Sequence, residues 1–183
     1  MTGSGTWLPH VDAAALAAMP RRIAAHLSQL GLTAAAERAQ DLEAAAASRS
    51  AGASLPPSGL CHSEYHPTSL HIGSAGWHLL DFARAFTGPG PLDLASWHGT
   101  LDAPDPARTL NLIESYVAVG GPGQAPARRG GLDAASWPLG WHRVWVADWF
   151  TQQFTRGWAD GAQDRWTTAI NRHLTEAATQ LSA

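Results

Sequence analysis

The chain has 183 residues and 45% apolar content, enough for one domain with a real core. Its formal charge of -3, with no basic run beyond Arg21-Arg22 and Arg128-Arg129, argues against a phosphate-tracking surface, so nucleic acid is not an expected partner. All 12 basic residues are arginine, which removes pyridoxal-phosphate lysines and any phosphate-binding loop ending in Gly-Lys-Ser/Thr, and the single cysteine, Cys61, removes an intrachain disulfide and a four-cysteine iron–sulfur cluster.

The arginine-only set of cations, with abundant Ala, Gly and Pro, points to a GC-rich bacterial genome. The N-terminus lacks a basic stretch followed by an unbroken apolar run, and no segment reaches membrane-spanning length. The expectation is a cytoplasmic protein with no membrane association.

Met19, Ile23, Leu27 and Leu30 form an apolar stripe at helical spacing, stopped at Gly31. A second helix is predicted over TAAAERAQDLEAAAASR, with Thr33 as its cap. SAGASLPPSG breaks the pattern and reads as a flexible loop near 50–60. Ile72, Ala75, Leu79, Phe82 and Phe86 predict a third helix from about Ser69 to Phe86, ended by Thr-Gly-Pro-Gly. LDLASWHGTL predicts a short helix. Asp105-Pro106 reads as an N-cap with proline at the first helical position, opening a helix to about Val119. Residues 120–131 read as a flexible connector. A Trp-rich helix starts near Pro138. A last helix follows Gly161 and buries Trp166, Ile170, His173, Leu174, Ala177 and Leu181. The one plausible strand, YVAVGG, competes with helix. The expected fold is therefore all-α: a single domain over residues 1–183, a bundle of five or six helices around the Trp-rich one.

Trp137, Trp141, Trp145 and Trp149 recur every four residues, and such a row drifts only about 40° per step around a helix. Asp148 stands among them. Desolvation raises a carboxyl group toward the range useful for proton transfer, so Asp148 is the leading candidate for a catalytic acid or base. The alternative is a structural hydrogen bond to an indole N–H or to a helix end. With no basic residue one turn away on the same helix, a histidine from elsewhere, His78 or His98, is the expected partner. Trp141, Trp145, Gln152 and His98 are the expected ligand-binding residues, facing an aromatic or hydrophobic small molecule. Plain core packing is the competing account of the indoles.

Five histidines, His62, His66, His71, His78 and His98, fall between positions 62 and 98. His62 and His66 have the spacing of a metal-chelating pair for zinc or iron, with Cys61 beside them, although Pro67 pushes His66 out of the helical region. His78 and Asp81, three apart on the predicted third helix, suit a base and its orienting acid, or a metal-linked pair. His142 lies off the Trp row and is set aside, and His26 and His173 read as ordinary partly buried histidines.

No H-E-x-x-H, G-x-S-x-G or G-x-G-x-x-G motif is present. The leading expectation is a small-molecule enzyme of bacterial specialised metabolism, working by acid–base or metal-assisted chemistry through Asp148, His78 and Asp81. A second is a non-catalytic protein holding haem or another flat ligand, with His78 or His98 as axial ligand. A third is a helical interaction module that presents a Trp patch to a partner.

Overall fold

The computed structural model describes residues 8–182. Helix α1 (Ala13–Gln29) opens on Asp12, whose carboxylate accepts the Ala15 N–H at 2.8 Å. It ends where the stripe predicts. Gly31 takes φ +73°, Leu32 N–H returns to the Leu27 carbonyl and Gly31 N–H to that of Ser28, which satisfies two orphan acceptors. Helix α2 (Thr33–Arg49) follows at once. Thr33 does not cap it: Leu32 holds the N-cap position and no side chain bonds there. Helix α3 (Pro91–Ser96) is short. Helix α4 (Pro106–Ala118) starts as expected, with the Asp105 carboxylate accepting the Arg108 N–H at 3.0 Å. Tyr116–Ala118 closes this helix, so YVAVGG is a helix end and not a strand. Helices α5 (Ser136–Thr155) and α6 (Gln163–Leu181) complete the set.

Four of these helices close a ring. Helix α1 packs on α2, α2 on α6, α6 on α5, and α5 on α1. Their shared interior is the main core, built on Leu16, Ile23, Leu42, Trp137, Trp141 and Leu174. Helix α3 covers a further side of α5, and α4 packs on α3.

The chain is not all-α. Strand β1 (Ser58–Cys61) pairs antiparallel with β4 (Phe86–Pro89), and β2 (Leu70–Gly73) pairs antiparallel with β3 (Gly76–Leu79). The architecture is helix-rich and mixed, and the predicted helix over 69–86 does not form. Its apolar residues do recur at helical spacing, but a hairpin signal sits inside them. Gly73 and Gly76 face each other across a two-residue turn, Ser74-Ala75, and Gly76 adopts φ +127°. Ile72 pairs with Trp77 and His71 with His78 across the ribbon, residue types that suit strands.

The segment 50–57 contains a short 3-10 turn, Ser50–Ser54, and is held from beneath by Arg129. That guanidinium is fully buried. It donates to the carbonyls of Gly52 at 3.2 Å and Leu55 at 2.6 Å and also to that of Pro56, and it lies 5.8 Å from the Trp137 ring centroid. Trp137 Nε1 in turn donates to the Arg49 carbonyl at 2.8 Å. Gly52 has to be glycine because a Cβ there would strike the Trp137 indole nitrogen and the Gly130 backbone.

Trp141 is 0% exposed, whereas Trp145 is only half-buried. Trp141→Ala should therefore destabilise the protein by about 3–5 kcal/mol in denaturant titration, and Trp145→Ala by clearly less, about 1–2 kcal/mol. Equal losses would contradict this division of the Trp row.

Candidate functional site

The Trp row divides along α5. Trp137 and Trp141 are sealed in the core, while Trp145 and Trp149 reach the outer face. There Arg84, on the segment between β3 and β4, lies over both rings, 5.8 Å from the Trp145 centroid and 5.4 Å from that of Trp149. Phe86 at the start of β4 packs on Trp145 with ring centroids 4.8 Å apart. This cover is partial and leaves two clefts. The smaller, about 360 Å³, is lined by Arg22, Phe82, Arg84, Trp145, Asp148 and Gln152. The larger, about 670 Å³, is lined by Glu64, His66, Asp81, His142, Val146 and Phe150. Arg84 and Trp149 border both.

Asp148 is buried, but its partner is not a histidine. Arg22 of α1 grips it with a two-pronged contact, Nε to Oδ1 at 3.1 Å and Nη2 to Oδ2 at 2.9 Å. Gln152, one turn on, donates to Oδ2 at 2.7 Å. The helix that carries Asp148 offers no cation one turn away, and the one that pairs with it comes from 126 positions away in the chain. Three donors clamp this carboxylate in place, which suits an anchor in a cleft wall better than a mobile proton carrier.

His78 and Asp81 do not share a helix face. His78 sits on β3 opposite His71, with ring centroids 6.4 Å apart and both residues exposed. Asp81 follows the strand at φ +66° and accepts the Ala83 N–H at 3.4 Å. Asp81 reaches the larger cleft, whereas His78 borders neither. His98, beyond α3, also borders neither; it lines a separate cavity of about 20 Å³ with Arg143 and Thr109, room for one water. Of the expected ligand-binding residues, Trp145 and Gln152 line the smaller cleft and Trp141 belongs to the core.

His62 and His66 are occupied separately. The buried His62 ring contacts the Leu80 carbonyl at 2.7 Å, and its N–H, like that of Ser63, donates to Asp93, at 2.7 and 2.8 Å. His66 Nδ1 lies 2.9 Å from the Thr68 hydroxyl. Burial, with the Asp93 charge adding to it, pushes the Cys61 thiol up to about 12, far from a thiolate. Among the described residues no three His, Cys, Asp or Glu side chains converge as a metal-holding group.

The polar residues that sequence reasoning passed over lie on the next face of α5. Arg143 is 2% exposed and forms an ion pair with Glu176 of α6, Nε to Oε2 at 3.0 Å, though not aligned as a hydrogen bond. Its Nη2 donates to the Asp102 carbonyl at 2.6 Å. His173 stands 3.6 Å from the same Glu176 oxygen. His142 is 6% exposed, its Nδ1 is enclosed with no hydrogen-bond partner among the described residues, and its ring borders the larger cleft. Burial first, then the charges of Arg143, His173 and Arg84, push the His142 imidazole down to about 3. Burial, Arg143 and Arg172 do the same to His173. The available signal was the spacing of His142, Val146 and Phe150, four apart on one side of the helix.

Comparison with family models, with curated proteins and with solved structures finds no match to this chain.

The two buried histidines give stability a definite pH dependence. Their folded-state values lie below the usual 6.5, so the unfolded chain binds protons that the folded chain refuses. The contribution is complete above pH 6.5 and falls away as the pH drops toward 3. Urea titrations between about pH 4.5 and 7.5 should show stability rising with pH by up to about 1.4 kcal/mol per unit for each histidine. His142→Gln should remove one such share and flatten the profile. An unchanged slope would mean that His142 titrates normally.

Proposed function

We propose that the chain binds a small aromatic or amphipathic molecule in the larger cleft, with His142 as the ligand's hydrogen-bonding partner. His142 is the observation that carries this reading. A buried polar group left without a partner costs about 1–3 kcal/mol, and native proteins leave few of them. This one borders a cleft of about 670 Å³, within the usual size of a small-molecule site. The walls supply apolar surface through Trp149, Phe150 and Val146, and a few polar groups through Glu64, Arg84 and Asp81. A ligand hydroxyl, amide or ring N–H meets this imidazole along the edge that borders the cleft, since Nδ1 itself is enclosed.

A second reading, acid–base catalysis on the bound molecule, requires the ligand to raise the proton affinity of that same ring, because an imidazole pushed down to about 3 is a weak base on its own. With its value pushed down to about 3, the imidazole is in the base form throughout the neutral range. A substrate that brings negative charge beside it raises its basicity and draws a proton toward it. In this reading His142 takes the proton, and the clamped Arg22–Asp148 pair stays a fixed part of the wall.

A screen of aromatic fragments by thermal melting and ligand-observed NMR should yield saturable binders. His142→Phe, which keeps the volume and deletes the nitrogens, should weaken them by about tenfold or more. The exposed His78→Ala should leave them unchanged. Binding indifferent to His142→Phe, or no binder from the screen, would contradict the reading. Turnover of a binder, lost in His142→Phe, would establish the catalytic form of it.

A further inference from the structure

Arg84 stands at the junction of the two clefts with most of its hydrogen-bonding capacity unused among the described residues. Its side chain is 22% exposed. Nη1 donates to Glu64 at 2.9 Å, while among the described residues Nε and Nη2 meet no acceptor, and neither is sealed away from access. Burial lowers the affinity of this guanidinium for its proton, and Glu64 and Asp148 offset that only in part. Glu64 lines the larger cleft and Asp148 the smaller, and Arg84 stands where the two meet. The residues lining the smaller cleft include two arginines, Arg22 and Arg84, and one carboxylate, Asp148.

We infer that the molecule bound here is an aromatic carboxylic acid, whose carboxylate pairs with the Nε–Nη2 edge of Arg84 while its ring lies along Trp149. This rests on the small-molecule reading above and narrows it to a chemical class. The geometry of the match is already present in the adjoining smaller cleft. Arg22 presents the same edge, Nε and Nη2, to the two oxygens of Asp148 at 3.1 and 2.9 Å. A planar two-oxygen anion fits such an edge. A phosphate dianion would need further donors, and Arg22 has already committed its own fork to Asp148. The aromatic part follows from Trp149, which borders both clefts, and from Phe150, which lines the larger one beside it.

The test is calorimetric titration of the full chain with three probes of one shape: naphthoate, naphthamide and naphthyl phosphate. Naphthoate should bind at least about tenfold more tightly than naphthamide. Arg84→Gln, checked for an unchanged melting profile, should erase that preference. Glu64→Gln, which leaves Arg84 in place and removes its competing anion, should strengthen naphthoate binding and serves as the second variant if Arg84→Gln does not fold. Equal binding of acid and amide, or a preference that survives Arg84→Gln, would overturn the carboxylate inference and leave the small-molecule reading standing. Tighter binding of naphthyl phosphate would overturn it in favour of a phosphate ligand. Absence of binding by all three probes at millimolar concentration would overturn both.

Discussion

Helix α5 has to be covered on every side, and most of the structure follows from how that is done. It carries four indoles, five more sizeable apolar residues at Leu139, Val144, Val146, Phe150 and Phe154, and polar groups scattered among them. No single neighbour can bury such a surface, because a helix offers one stripe to each partner. Helices α1 and α6 take the inner faces and α3 takes another. The remaining face falls to the irregular segment between β3 and β4 and the start of β4, which cross it through Arg84 and Phe86. A loop covers less completely than a helix, and the two clefts are what this last cover leaves open.

The polar side chains of α5 show how a mostly apolar helix accommodates charge. Asp148 and Arg143 are each neutralised by a partner from another helix, Arg22 of α1 and Glu176 of α6. Both pairs tie α5 to a neighbour in the ring, and both are costly to break from one side, since the abandoned charge stays buried. His142 is treated differently. Its Nδ1 meets no partner among the described residues, and burial together with the surrounding cations discourages the ring from taking a proton. Asp148 has its oxygens bonded, Arg143 keeps Nε and Nη1 without a hydrogen bond among the described residues, and of the three only His142 lines the larger cleft.

Much of the helical frame was legible in the sequence, because its signals are local. The stop at Gly31, the start at Asp105-Pro106 and the apolar stripe of α6 each depend on residues within a turn or two. The stretch 69–86 was misread because periodicity and turn chemistry disagreed there, and the Gly73–Gly76 pair outweighed a stripe that had no neighbour to bury it. The site was less legible still. Arg22 and Asp148 are 126 positions apart, and Arg84 meets Trp145 and Trp149 only through a loop whose course is set by tertiary contacts. Asp148 was rightly picked out as a buried carboxylate, but its role turns on a partner that no helical spacing reveals. His142 was passed over because the row of indoles drew attention to the neighbouring face.

The account turns on His142 being a neutral, unpartnered imidazole in the wall of the larger cleft. Nitrogen-15 NMR of the imidazole rings across about pH 4.5 to 8 reads that state directly. The account predicts that the His142 ring stays neutral throughout that range in the free protein, with its nitrogen shifts moving only when a ligand fills the cleft. A ring that protonates with a midpoint near 6.5 would contradict it, because such a histidine is in contact with water and has no need of a ligand.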